Sequence, residues 1–168
     1  MSENEFVEAH EKPDALLSSL SEIDVCDTNH FLIMDGLKNK LDDICLVIPE
    51  GSKVIYFDYP LHFNVGDQLI YLGTLEFFKA KGYKVEGYYS EHNCDLSDLP
   101  MIYNDTVVLL HGGGNFGDLY EKHQVLREKI ITFYKNNRIV VLPQTIYFKS
   151  EAEKEKSAVV FKEHQDLH

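Results

Sequence analysis

Four short apolar runs, three of them followed by a helix-length amphipathic segment, leave this chain little choice of architecture. KVIYFDY (53–59), YKVEGYYS (83–90), TVVLLH (106–111) and RIVVLP (138–143) carry the β-branched and aromatic residues of strands. QLIYLGTLEFFKAKG (68–82), closed by Gly82, then EKHQVLREKIITFYKNN (121–137) and SEAEKEKSAVVFKEH (150–164) place apolar residues at helical spacing. That alternation calls for an α/β, Rossmann-like parallel sheet with helices on both faces. The last residues, FKEHQDLH, fall where such a fold puts its next strand.

Ahead of the turn PEGS (49–52) the character differs. Residues 1–50 read as an acidic N-terminus and a helical extension. Helix is expected from about Ala15 to Leu46, with Thr28 as an N-cap. Residues 51–168 form the Rossmann-like domain.

Charge and composition exclude several functions. The net charge is −12, from 28 acidic and 16 basic residues, and no basic stripe exists to neutralise phosphates. Nucleic-acid binding and polybasic docking on an anionic membrane are therefore not expected. No run approaches the roughly 18 apolar residues of a transmembrane segment, and the N-terminus has no signal-like h-region. A cytoplasmic protein follows, with Cys26, Cys45 and Cys94 as free thiols. His92 and Cys94 lack the companions a zinc site needs, so no metal is expected.

Chemistry concentrates in three loops at strand ends: HFNVGDQ (62–68), HGGGNFGD (111–118) and LPQTIYF (142–148). Parallel α/β sheets bind ligands at the carboxyl ends of their strands, so these loops should converge on one edge. In the first, Asn64 or Asp67 suits the N-cap of the following helix, where a carboxylate also sits beside any ligand at the positive helix end. HGGG invites three readings. No Lys-Ser or Lys-Thr follows to make a phosphate-binding P-loop. Gly112, Gly114 and Gly117 approximate a dinucleotide fingerprint without its later acidic residue. The oxyanion-hole reading needs a G-x-S-x-G that residues 1–168 do not contain, and that absence alone does not decide.

The order and spacing of all three motifs do. Asn64-Val65-Gly66-Asp67-Gln68-Leu69-Ile70, His111 to Tyr120, and Leu142-Pro143-Gln144-Thr145-Ile146 together resemble the polysaccharide pyruvyl transferase family, over roughly residues 52–150. The resemblance implies transfer of a pyruvyl group from phosphoenolpyruvate to a pair of sugar hydroxyls, making a cyclic ketal in exopolysaccharide or cell-surface polysaccharide biosynthesis. It also implies a two-domain architecture of the GT-B type, of which this chain matches the N-terminal half. A sugar or lipid-linked oligosaccharide would be the acceptor, worked on in the cytoplasm or at the inner face of the membrane. Phosphoenolpyruvate would be the donor substrate, with no further cofactor. A second copy of the chain or a complementary C-terminal half would complete the cleft.

Residues can be assigned on that basis. Phosphoenolpyruvate needs cationic forks, and the three loops contain no Arg and no Lys. Their amides, acids and histidines suit hydroxyls, so this half is expected to supply the acceptor side. His111 is the expected proton shuttle, because imidazole titrates near pH ~6.5. Asp67 and Asp118 are expected as bases or hydroxyl binders. Asn64, Gly66, Asn115, Tyr120, Gln144 and Thr145 are expected to contact substrate, and Gly112, Gly113 and Gly114 to let backbone N–H groups approach it. Gly113→Val should then abolish binding in a folded domain. The rival readings are a GT-B glycosyltransferase using a nucleotide-sugar and a non-catalytic sugar-binding or assembly module.

Overall fold

The computed structural model describes residues 28–168. The segment before Thr28, including Cys26 and the first part of the expected helical extension, lies outside them. One unit ends at Asp43 and contains helix α1 (Thr28–Asp42). The second unit, Ile44–His168, holds the sheet.

In the second unit the elements run β1 (Lys53–Phe57), α2 (Val65–Ala80), β2 (Lys84–Tyr89), β3 (Val107–Leu110), β4 (Gly113–Phe116), α3 (Glu121–Phe133), β5 (Ile139–Val141), β6 (Gln144–Ile146) and α4 (Glu151–Lys162). The main sheet is parallel throughout, in the order β2-β1-β3-β5. Both central strands, β1 and β3, are apolar because both of their faces are covered. Ile55, Phe57, Val108 and Leu110 pack with Leu126, Ile130 and Ile131 of α3. The alternate residues Val54, Tyr56, Val107 and Leu109 pack with Ile48, Phe78 and Tyr83 on the other side. The period-2 split of each strand thus sends one set of side chains to each of two cores. β2, at the edge, alternates exposed and half-buried residues.

This order places a topological switch between β1 and β3: the chain steps from β1 out to β2, then returns to the other side of β1. In such sheets the crevice lies outside the carboxyl ends of the two strands flanking the switch. Asp58 follows β1 and His111 follows β3, and the backbone N–H of His111 donates to Phe57 O at 3.0 Å.

Two of the three expected loops are in fact strands. Gly113–Phe116 and Gln144–Ile146 pair in parallel as a separate two-stranded sheet, with Gly113 opposite Gln144 and Phe116 opposite Ile146. Glycine is what lets them meet. A Cβ on Gly112 would sit 2.4 Å from Pro143 O, and one on Gly117 would sit 1.7 Å from Tyr147 O. Short polar strands of this kind carry no apolar alternation, so periodicity could not reveal them. At the far edge, Ile139 N donates to Asp166 O (2.9 Å) and Val141 N to His168 O (2.8 Å), and Leu167 makes a single parallel bridge with Ile139 beside β5.

Gly117→Ala tests this close approach. Its φ of +123° and the Tyr147 carbonyl both oppose a side chain, so a loss of about 2–4 kcal/mol in urea unfolding is expected. Gly114→Ala, whose Cβ would find nothing nearer than 3.7 Å, should unfold close to the wild-type midpoint.

Candidate functional site

The switch-point crevice is built from the loop after β1, the start of α2, the β3–β4 link and the first turns of α3. Asn64 caps α2, its Oδ1 accepting from Gly66 N at 3.0 Å. The helix therefore begins at Val65, three residues earlier than the apolar periodicity indicates. Gln68 Nε2 donates to the Pro60 and His62 carbonyls (3.1 and 2.8 Å) and pins the loop back on the helix. Asp67 lies in the first turn, with His62 Nε2 3.6 Å from Oδ2. It also borders the glycine strand: a Cβ on Gly113 would lie 3.6 Å from Asp67 Oδ1.

His111 is buried, only 2% exposed. Its Nδ1 is hydrogen-bonded to the Tyr56 hydroxyl. Burial lowers the imidazole pKa below its usual value, against the pull of Asp58 and Asp67, and burial raises that of the Tyr56 phenol. The neutral pair then has one consistent arrangement: Tyr56 O–H donates to Nδ1, and the ring proton sits on Nε2. That Nε2 is buried with no protein partner. A buried donor without an acceptor is costly in water-free surroundings, and here it lies where the fold binds ligands.

A second cluster, absent from the sequence expectations, surrounds Asp58. This residue is 2% exposed and holds a left-handed backbone, φ +67°, which few non-glycine residues adopt. Its Oδ1 is 2.6 Å from His123 Nδ1, and its Oδ2 accepts from Asn115 Nδ2 at 3.1 Å. The guanidinium of Arg127 lies 3.5 Å from Oδ2. Arg127 also donates to Asn115 Oδ1 (2.9 Å) and Gln124 Oε1 (2.8 Å), and stacks over the Phe116 ring at 4.5 Å. Burial pulls its pKa down to about 10, with Asp58 and Glu128 resisting. His123 moves the other way from His111: the hydrogen bond to Asp58 raises its pKa. The sequence did hold a signal. Asp58 is an acid directly after the apolar run VIYF, and His123 and Arg127 are spaced to share one helix face.

The remaining expected residues separate into groups. Asn64, Gly66, Asp67, His111 and Gly113 border the crevice. Gly113 has φ +110° and its N–H donates to Pro143 O at 3.1 Å, so the donor expected to meet substrate is spent on the protein. A β-branched Val there would strain the backbone, so Gly113→Val cannot separate binding from folding. Gly112 is likewise accounted for by the Pro143 contact. Gly114 is exposed, with Thr145 Oγ1 alongside. Asn115 bridges Asp58 and Arg127, so both ends of its amide are engaged within the protein. Asp118 accepts from Lys149 N (2.6 Å) and Ser150 N (2.7 Å); these bonds hold its pKa below the usual carboxylate range and tie β4 to the start of α4. Tyr120 is exposed, its ring meeting His123 edge-on. Gln144 faces away from Thr145, its amide buried and unpartnered, and lines a largely apolar cavity of about 390 Å³ with Phe116, Ile146 and Phe161. Among the described residues no cluster of His, Cys, Asp or Glu could hold a metal ion.

Two measurements check this geometry. Arg127→Met removes one of the two cationic partners of the buried Asp58 carboxylate, together with the bonds to Asn115 and Gln124, and should cost about 3–5 kcal/mol in chemical denaturation. For His111 the native pKa is lowered, so the unfolded chain takes up a proton as pH falls through ~6.5 while the native ring does not. Its contribution to stability is present above that pH and lost below it. His111→Asn should therefore lose less stability than the wild type between pH ~7.5 and ~5.5, read from urea midpoints.

Known proteins place this site in a family. Residues 64–168 match the model for polysaccharide pyruvyl transferase. The chain is 42% identical over 142 residues to the putative pyruvyl transferase EpsO of Bacillus subtilis, covering 84% of this chain and 43% of that protein. It is 30% identical over 124 residues to pyruvyl transferase 1 of Schizosaccharomyces pombe (69% of this chain, 30% of that protein). General stress protein 30 of B. subtilis is 31% identical over 127 residues, 71% of this chain and 37% of that protein. The chain thus spans less than half the length of these curated relatives. It belongs to the polysaccharide pyruvyl transferase family.

Proposed function

We propose that the protein takes part in pyruvyl transfer from phosphoenolpyruvate to two hydroxyls of a saccharide, and that its switch-point crevice holds the acceptor sugar. The observation carrying this reading is the buried, unpartnered Nε2 of His111, whose ring lies within the electrostatic reach of Asp67. A neutral N–H donor next to a carboxylate acceptor matches a sugar hydroxyl, which both donates and accepts. It does not match the two anionic groups of phosphoenolpyruvate, which call for cations. Arg127, the guanidinium nearest this edge, is committed to Asp58, Asn115 and Gln124. The donor's cationic clamp is therefore assigned outside residues 28–168, consistent with relatives of which this chain matches less than half and with a cleft between two Rossmann-like domains.

The chemistry that the chain would serve balances in two steps. The first hydroxyl oxygen bonds to C2 of phosphoenolpyruvate while its proton passes to a phosphate oxygen, and C3 gains a proton from the acid of the site to become a methyl group. The second hydroxyl oxygen then bonds to C2 as the C2–O bond to phosphate breaks, and its proton leaves to a base. The products are a cyclic ketal and inorganic phosphate. In this reading His111 donates through Nε2 to a sugar oxygen and keeps its proton, rather than shuttling it, because burial disfavours its cationic form. Asp67 accepts from a hydroxyl and orients it for attack.

Titration of the chain with free and lipid-linked saccharides, phosphoenolpyruvate and UDP, followed by NMR, tests the assignment. Saccharide-dependent shifts at Asp67 and His111, weakened at least tenfold in His111→Asn, are expected. Tight phosphoenolpyruvate binding without saccharide binding would overturn the acceptor-side assignment, and a response to UDP alone would point to a nucleotide-sugar enzyme.

A further inference from the structure

The proton that reaches C3 needs a donor, and the crevice contains a better one than His111. We propose that His123, held by Asp58, is the acid–base group of the site, exchanging protons with the cleft through Nε2, with Asp58, Arg127 and Asn115 as positioning residues. This inference rests on the pyruvyl-transfer reading above.

The geometry is that of an oriented imidazole. Nδ1 meets the Asp58 carboxylate at 2.6 Å, which leaves Nε2 as the ring nitrogen that Asp58 does not engage, and the side chain retains 21% exposure. Asp58 is itself fixed by Asn115 and Arg127 and by a backbone N–H donating to Tyr89 O at 2.7 Å. A carboxylate anchored on three sides can hold a ring in one orientation and stabilise its cation. His111 and His123 both feel the same carboxylate, yet burial acts chiefly on the first and the hydrogen bond to Asp58 chiefly on the second. Environments that drive two like groups apart separate a neutral donor from a proton carrier.

Charged and titratable neighbours come from every element around the ring. Asp58 follows β1, and Glu91, paired with Lys122 at 3.2 Å, follows β2. His111 follows β3, Arg127 lies one turn on along α3, and Tyr120 meets the ring edge at its start. The two acids favour the imidazolium, and Arg127 opposes it. As the acid, His123 gives its Nε2 proton to C3 while the first sugar oxygen bonds to C2. The ring is reprotonated from the hydroxyl proton released in the second step.

The test combines histidine-labelled NMR with turnover. In the wild-type chain, His123 should titrate above pH ~6.5 and His111 below it. Asp58→Asn, which keeps the size and suits the left-handed backbone, should lower the proton affinity of His123 at least tenfold; Glu91→Gln, which disturbs no buried pair, should lower it by a smaller factor. His123→Gln should bind saccharide within threefold of wild type and lose pyruvyl transfer at least 100-fold, together with the acid limb of the pH profile. His123 titrating at or below its ordinary value, or a Gln variant that turns over normally, would overturn the proposal. Turnover is read with the complementary half that holds the cationic clamp supplied; no pyruvyl transfer from phosphoenolpyruvate by the wild-type chain under that condition counts against the reaction assigned above, and the titration then decides the dyad by itself.

Discussion

The Asp58 carboxylate is the point on which the carboxyl edge of the sheet depends. It ends the central strand, is sealed from water, and engages side chains from the glycine strand and from the helix that follows it. An isolated buried carboxylate would be prohibitively costly. Here Arg127 supplies the charge and Asn115 the geometry, and Arg127 is fixed in turn by Gln124, which also accepts from Gly117 N at 3.0 Å and donates to Ser157 Oγ at 3.2 Å. One anion thereby couples β1, β4, α3 and α4. The left-handed backbone at Asp58 is the conformational cost of aiming the carboxylate into that junction.

The same carboxylate organises the electrostatics of the crevice. It faces His123 directly and influences His111 at longer range. Without it, two histidines at one strand edge would differ only in burial. With it, burial favours the neutral form of His111, held by Tyr56, and the hydrogen bond to Asp58 favours the cationic form of His123. The two tasks of ketal formation, holding a hydroxyl and supplying a proton, are thus divided between residues that are adjacent in space and 12 positions apart in sequence.

Much of the fold was legible because its rule is simple. Strands buried on both faces must be apolar throughout, and VVLL and VIYF admit no other reading in a chain that alternates with helices. The Asn64 cap was legible for the same reason: the residue type and its position before a helix carry the mechanism. What escaped was whatever depends on contacts between segments far apart in sequence. The β4–β6 pair is polar and glycine-rich, and its glycines are needed because the Pro143 and Tyr147 carbonyls press against them. Asn115 looked like a ligand contact because nothing in its neighbourhood reveals Asp58 and Arg127 on either side. His123 and Arg127 lay in what reads as an ordinary amphipathic helix, and only the fold shows that their shared face meets a buried acid.

The division of labour between the two histidines is the central claim, and the ¹⁵N imidazole shifts of the ligand-free chain followed as the pH is lowered test it most directly. The account predicts that His123 takes up its second proton first, while His111 stays neutral with its proton on Nε2. A cationic His111 beside a neutral His123 would contradict it.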